Sequence, residues 1–421
     1  MNVLINPKPL SGTVYIPPSK SQSHRAIIAA SLSKGKSVIS NIIYSEDVLA
    51  TIGAMEKIGV KFIKNTRQLI VSGIGRIVIT DDNFIECNES GSTLRFVLPI
   101  FSLSKEKIVF TGKRSLFNRP MTVYEDIFKK LHLNYQKNEN SIIVSGSLSS
   151  GVYEIPGNIS SQFISGLLFA LPLTKGDSKI IITGNYESKQ YVDMTLDVLK
   201  RFQIVVTERN KTYYIKGNQV YHPANFQIEG DYSQLAFYAV LGQISGDILC
   251  KNIPFESLQP DQKIMEFIQK MKGNYELTET GILFKKSNTI GVVLDVSQSP
   301  DIAPILSILA ALSSGETIIE NAMRLKFKES NRLSSMFETL KAFGVSTEMG
   351  EDYLTILGQQ ELNGGVFESF NDHRIVMSIA IAATRATHQV MIKNAEAINK
   401  SYPNFFEDLE KLGADITYIE E

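Results

Sequence analysis

Along this chain, short β-branched apolar runs that end in Asn or Gly return with a period of about 70 residues. They are KSVISN ending at Asn41, KIVFTG at Gly112, KIIITG at Gly184, DILCKN at Asn252, ETIIEN at Asn321 and QVMIKN at Asn394. In phase with them runs a second marker, the end of an amphipathic helix followed by a strand: MEKIGVKF, FKKLHLNY, LKRFQIVV, IQKMKGNY, LKAFGVST and LEKLGADI. Apolar positions at helical spacing, Lys or Arg in the last turn, and Gly as the stop at Gly59, Gly344 and Gly413 are helix-ending chemistry.

Ahead of each β-branched run lies a helix-length stretch. Four of these are apolar on most faces: AIIAASL after Arg25, FISGLLFALPL after Gln162, IAPILSILAAL after Asp301 and IVMSIAIAA after Arg374. A helix that is apolar all round is buried, and these are too short to span a bilayer. Each unit therefore reads as strand, loop, helix, strand, helix, hairpin, and six units fill the chain. The last has room for one strand of its hairpin, so the N-terminal strand at residues 2–6 is expected to complete it. The fold class is α/β with helices inside and sheets outside. Two domains of three units each are expected, 18–228 and 1–17 plus 229–421, because each domain closes its own core.

Composition narrows the function. A chain of 421 residues that is 43% hydrophobic and 21% charged, with net charge −1, has no bulk attraction to nucleic acid or membrane, so any anion binding is local. Cys87 and Cys250 sit in apolar, strand-like runs, which fits a reducing compartment without a disulfide framework. The five His show no metal-ligand spacing with each other or with the Cys, so no metal site is expected. The N-terminal MNVLINPKPLSG lacks a basic stretch followed by an apolar one, and a cytoplasmic location is expected.

The loops that open the first helices are the candidate chemistry. They are SKSQSHR (19–25), ESGSTLR (89–95), ISSQF (159–163), GDYSQ (230–234), QSPD (298–301) and NDHR (371–374). Helix N-termini carry unpaired N–H groups and the positive end of the dipole, and equivalent ones in a threefold domain point the same way. Cations follow the same frame at Lys20, Arg25, Arg95, Arg119, Arg324, Lys328, Arg332, Arg374 and Lys400. Singly each is readable as solvated surface; jointly, surface charges have no reason to keep the repeat frame. Among the acids, Asp301 is also readable as a first-turn residue, Asp372 as an N-cap and Glu329 as a partner of Lys328 or Arg332.

These loops, with NRPM around Arg119, SKQYVDMT from Ser188, KFKESNR ending at Arg332 and NKSYP around Lys400, resemble the 5-enolpyruvylshikimate-3-phosphate synthase family over nearly the whole chain. The resemblance implies a two-domain inside-out α/β barrel, each domain three βαβαββ repeats, joined by two crossovers and closing on ligand by a hinge motion. It implies transfer of the enolpyruvyl group from phosphoenolpyruvate to the 5-hydroxyl of shikimate 3-phosphate, with release of phosphate and no metal or organic cofactor. Carried over by position, Lys20, Gly91, Arg119, Gln162, Lys328, Arg332, Arg374 and Lys400 hold phosphoenolpyruvate. Lys20, Ser21, Arg25, Ser160, Ser161, Gln162, Ser188, Asp301 and Lys328 hold shikimate 3-phosphate. The 18–228 domain then serves mainly shikimate 3-phosphate, and the other mainly phosphoenolpyruvate. By the same carry-over Asp301 accepts the hydroxyl proton, Glu329 supplies the proton to C3, and Lys20 is a proton shuttle. No nucleic-acid or membrane partner is expected, and a monomer is.

Two departures touch the site: Glu89 stands where the family often has Asn, with Arg95 its expected partner, and Arg324 stands where some members have Asn. An enolpyruvyl transferase acting on UDP-N-acetylglucosamine is the rival within enzymes. It carries a reactive Cys on a mobile loop, which neither Cys87 nor Cys250 resembles. A silent anion-binding scaffold is the rival outside them. His24 is expected to be a loop residue with no role.

Overall fold

The computed structural model describes residues 1–79, 83–359 and 361–419. The chain divides into two compact units, Pro18–Ile228 and Met1–Pro17 with Glu229–Glu421. Among the described residues lie six four-stranded sheets built to one plan. In the third, Val152–Pro156 runs parallel to Ser178–Thr183, which pairs antiparallel with Thr212–Ile215, which pairs antiparallel with Val206–Arg209. The N-terminal strand Asn2–Asn6 lies between Val390–Lys393 and Asp415–Ile419, antiparallel to both, and supplies the strand missing from the sixth repeat.

The first helices of the repeats are α1 (Lys20–Leu32), α2 (Gly91–Phe101), α3 (Ser161–Ala170), α4 (Tyr232–Ile244), α5 (Ala303–Ala311) and α6 (His373–Ala383). Every residue of α4, α5 and α6 is buried, as the apolar runs of α5 and α6 require, and α4 buries Ser233, Gln234 and Gln243 as well. Helices inside and sheets outside is therefore the observed arrangement. None of the described helices is long and apolar enough to cross a membrane.

The opening strands of two repeats belong to a different unit from the helices they precede. The strand before α1, Gly12–Tyr15, pairs with Ile248–Lys251 of the fourth repeat. The strand before α4, Phe226–Gln227, pairs with Lys34–Ser40 of the first. The first and fourth repeats thus exchange their opening strands, because each strand precedes a crossover and stays in the unit the chain is about to leave. Backbone bonds continue the pairing up to the crossovers, Ile16 N donating to Lys251 O at 3.0 Å and Ile228 N to Ser40 O at 3.0 Å.

The periodic Asn and Gly have a shared backbone cause. Asn41, Asn252, Asn321, Asn394 and Gly184 all adopt positive φ, between 50° and 67°. Gly112 is the exception: a Cβ there would lie 2.4 Å from the carbonyl oxygen of Asn88, so space rather than φ selects glycine. The second helices end the same way in all six copies. Gly59, Gly344 and Gly413 have positive φ, and so do His132 (55°), Gln203 (64°) and Lys272 (61°), the residues in their place. The αL stop is thus a property of the repeat, and three copies tolerate a side chain in it. Lys272 is exposed, so Lys272→Gly is expected to relieve αL strain and stabilise its unit by up to about 1 kcal/mol. Chemical denaturation of the two proteins side by side checks this, with a raised midpoint expected.

Candidate active site

In the unit Pro18–Ile228, three hydroxyls shape the starts of α1 to α3. Ser19 accepts from Gln22 N at 3.4 Å, Ser90 from Thr93 N at 3.1 Å, and Ser160 from Gln162 N at 3.3 Å. Because Ser19 is the N-cap, helix α1 begins at Lys20, and residues 20–25 are helical rather than part of a loop. The same correction applies to His24, which is fully buried.

Lys20 places its ammonium 2.8 Å from Asp47 Oδ2, a carboxylate in the first turn of the helix Glu46–Glu56. Arg25 is 2% exposed and donates to Thr195 Oγ1 (2.8 Å), Ser21 O (2.7 Å) and Tyr191 O (2.9 Å), with its guanidinium 4.9 Å over the Phe96 ring. All three acceptors are uncharged, and burial pulls the Arg25 pKa down to about 10. A buried guanidinium held by neutral oxygens is a group that an anion would stabilise.

Gln162 joins the starts of α2 and α3, accepting from Arg95 Nη1 at 2.7 Å and donating to Ser92 Oγ at 2.9 Å. Gly91 sits where these side chains converge. A Cβ on it would lie 2.8 Å from Arg119 Nη1 and 3.7 Å from Gln162 Oε1, so glycine leaves the room that Arg119 occupies. Ser161 is buried next to the Ser160 cap. Ser188 is buried as well, and its backbone is left-handed at φ 52°, an uncommon conformation for a residue with a side chain. Glu89 pairs with Lys113 at 3.4 Å, while Arg95 also donates to Pro120 O at 3.0 Å.

The other unit holds a denser network. Asp301, in the single 3₁₀ turn Pro300–Ile302 before α5, has Oδ1 2.9 Å from both Lys328 Nζ and Arg332 Nη1, and Oδ2 3.6 Å from Arg374 Nη2. Arg332, 2% exposed, makes a bidentate pair with Asp372 through Nε (2.8 Å) and Nη2 (3.1 Å). Asp372 is also the N-cap of α6, accepting from Arg374 N at 2.9 Å. The capping role and the ion-pair role are therefore filled by one side chain. Arg374 reaches back to Ser233 Oγ of α4 at 2.9 Å. Asp301, Arg374 and Ser233 thus tie together the starts of three core helices.

Electrostatics follow from that geometry. Burial alone would raise the Asp301 pKa, but Lys328, Arg374 and Arg332 hold it well below the ordinary carboxylate range. Lys328 is brought down to about 8 by burial first, with Arg324 and Arg332 adding to the effect and Asp301 opposing it. Burial would lower Arg332, but Asp372, Asp301 and Glu329 outweigh it and raise its pKa. Glu329 lies 3.9 Å from Arg332 Nη2 and 2.6 Å from His373 Nδ1. Lys400 is 3% exposed and donates to Asn371 O at 2.5 Å, in the loop before α6.

Glu329, Asp372 and His373 bring possible ligand atoms within 4.8 Å of one another. The donor set does not suit a cation, because both Asp372 oxygens are engaged by Arg332, whose guanidinium also borders Glu329. Cys87 and Cys250 are free and buried, and burial raises both thiol pKa values, which makes neither a reactive nucleophile.

Of the residues singled out from sequence, Asp301, Lys328, Arg332 and Arg374 are in direct contact as one cluster, bordered by Glu329. Gly91, Arg119 and Gln162 converge, and Ser21 and Arg25 are bonded to each other. Lys20 is tied to Asp47 and Lys400 to Asn371. Sequence reasoning missed Asp47, His373 and Ser233 as polar partners. An acid opening the second helix, and a His inside the NDHR motif, were the available signals.

The family description "EPSP synthase (3-phosphoshikimate 1-carboxyvinyltransferase)" matches residues 4–409. The 3-phosphoshikimate 1-carboxyvinyltransferase of Clostridium perfringens (strain 13 / Type A) is 45% identical over 415 residues, covering 98% of each chain. The enzyme of that name from Clostridium acetobutylicum is 45% identical over 420 residues, again covering 98% of each. Among solved structures, the EPSP synthase of Acinetobacter baumannii superposes with a TM-score of 0.82 at 25% identity, over 99% of this chain and 100% of that one. The enolpyruvyl transferase NikO of Streptomyces tendae, at 15% identity and the same TM-score, shares the fold. A match over almost the full length, with relatives of equal extent, means that this chain belongs to the EPSP synthase family.

Proposed function

We propose that the loop cations described above hold the two substrates of this family's reaction, residue by residue. The chain transfers the enolpyruvyl group from phosphoenolpyruvate to shikimate 3-phosphate, releasing phosphate, in the shikimate pathway to aromatic amino acids. Arg25, Ser21, Ser160, Ser161, Gln162 and Ser188 receive shikimate 3-phosphate. Lys20, Gly91, Arg119, Lys328, Arg332, Arg374 and Lys400 receive phosphoenolpyruvate, and Lys20, Gln162 and Lys328 serve both. The observation that carries this is the Arg25 guanidinium, buried against neutral oxygens with its pKa pulled down, which is the environment of a phosphate or carboxylate receptor.

In the proposed mechanism Asp301 accepts the proton of the attacking hydroxyl. Its carboxylate is a weak base while three cations surround it. When an anionic substrate draws Lys328 and Arg374 toward itself, their hold on Asp301 weakens and its basicity rises. Glu329 supplies the proton to C3 of phosphoenolpyruvate, with His373 at 2.6 Å as the group that can share that proton. Lys20 acts as a shuttle beside Asp47. The cations stabilise charge that develops on phosphate as it leaves.

The test is phosphate release by the purified protein with phosphoenolpyruvate and each acceptor in turn. Turnover with shikimate 3-phosphate and none with UDP-N-acetylglucosamine is expected; the reverse, or no turnover with either, overturns the reading. A pH profile adds a sharper expectation. Because the Lys328 pKa is down to about 8, its ammonium loses its proton as pH rises past that value, and one substrate-binding charge is lost. The KM for phosphoenolpyruvate is expected to climb between about pH 8 and 9, and to stay level over that range in Lys328→Arg.

A further inference from the structure

The buried His24 is a titratable group that the mechanism does not use, and its partners form a line. His24 Nδ1 is 2.7 Å from Thr51 Oγ1, and Thr51 Oγ1 is 2.6 Å from Thr93 Oγ1. Thr93 Oγ1 is in turn 2.8 Å from Ser90 Oγ and 3.4 Å from the carbonyl oxygen of Asp47. Four of the side chains, on α1, the helix Glu46–Glu56 and the start of α2, are thus bonded in series. All four are fully buried, and Asp47, which offers its carbonyl oxygen, is 5% exposed.

The direction of this series can be worked out. Nε2 of His24 is buried without a hydrogen-bond partner, so a proton there would be an orphaned donor. Burial, then Lys20 and Arg25, hold the ring well below its ordinary pKa, so it is neutral. The proton is therefore on Nδ1. His24 then donates to Thr51, Thr51 to Thr93, and Thr93 to Ser90 Oγ at 2.8 Å, with the Asp47 carbonyl at 3.4 Å as the longer alternative acceptor. The protonation of His24 at Nδ1 thus sets the donor sense of the Thr51 and Thr93 hydroxyls.

We propose that His24 is a positioning residue for the phosphoenolpyruvate side of the site. Through Thr51 and Thr93 it fixes the Ser90 cap. That sets the first turn of α2, where Gly91 makes room for Arg119, and it holds the helix whose Asp47 anchors Lys20. This rests on the reading that Gly91, Arg119 and Lys20 hold phosphoenolpyruvate. Turnover by the unaltered protein tests that reading separately from the variants below.

His24→Asn and Thr51→Val are to be compared with Thr51→Ser, which keeps the hydroxyl. The first two are expected to raise the KM for phosphoenolpyruvate by about tenfold or more while changing the KM for shikimate 3-phosphate less than about twofold. The double variant is expected to be no worse than the more impaired single, since both break one series. Thr51→Ser is expected to behave as the unaltered protein. The proposal is overturned if both KM values move together, if the two substitutions add in full, or if Thr51→Ser is as impaired as Thr51→Val. It is also overturned if the variants lose thermal stability with both KM values unchanged, because that is the signature of a structural role only.

Discussion

Asp301→Asn is expected to slow turnover by about a thousandfold or more while leaving phosphoenolpyruvate binding as tight or tighter. The first half follows from losing the proposed general base, whose class of contribution is about 10²–10⁴-fold. The second follows from charge. Asp301 is the carboxylate that Lys328, Arg332 and Arg374 share, so an amide there leaves those cations less neutralised and more attractive to an anion. Asp301 also raises the Lys328 pKa, so in the variant that pKa falls below about 8 and the tightened binding fades at lower pH than in the unaltered protein. Single-turnover kinetics with direct binding measurements separate the two effects. A variant with normal turnover means that Asp301 is not the base. Slowed turnover with proportionally weakened binding means that its role is to arrange the cations.

Much of the architecture was legible because the repeat leaves two independent marks. The αL residue after each central strand selects Asn or Gly at Asn41, Gly184, Asn252, Asn321 and Asn394, and tight packing on Asn88 selects Gly112. The αL stop after each second helix was legible only where it was Gly. His132, Gln203 and Lys272 occupy the same conformation, but nothing in their chemistry announces it. The expected domain bounds already part the opening strands of the first and fourth repeats from the helices they precede, but which strands they pair with was not legible. Gly12–Tyr15 and Phe226–Gln227 carry ordinary strand patterns, and which sheet a strand joins is a long-range choice.

The chemistry divides in the same way. Loop motifs drew attention to Asp301, Lys328 and Arg332, since motif residues come with their cations in view. His24 reads as a loop residue because it stands in a polar stretch of sequence. Only the cap at Ser19 shows that the stretch is already helix, and only packing shows that His24 faces Thr51 rather than water. Helix starts made of Ser, Lys and Arg are hard to tell from loops by composition, because those residues favour caps and first turns as much as coil.

The largest effect on stability is expected from Asp372→Ala. Asp372 is fully buried, makes the bidentate pair with Arg332, caps α6, and accepts from Ser330 Oγ at 3.1 Å. Its removal leaves the Arg332 guanidinium, 2% exposed, with Asp301 at 2.9 Å and Glu329 at 3.9 Å as the remaining carboxylates, and uncovers the first turn of α6. Taking one partner from a buried ion pair destabilises by about 3–5 kcal/mol. The effect should depend on pH with a definite sign. Burial alone would raise the Asp372 pKa, but Arg332 outweighs that and the folded value is depressed. A carboxyl with a depressed folded pKa contributes stability above its unfolded pKa of about 4, and loses it as pH falls through the folded value. The gap in thermal midpoint between the unaltered protein and Asp372→Ala is therefore expected to be full at pH 7 and to narrow steadily below about pH 4. A gap that stays constant into acid would mean that the aspartate acts through packing and capping alone, and that its charge on Arg332 contributes nothing to holding α6 and Asp301 in place.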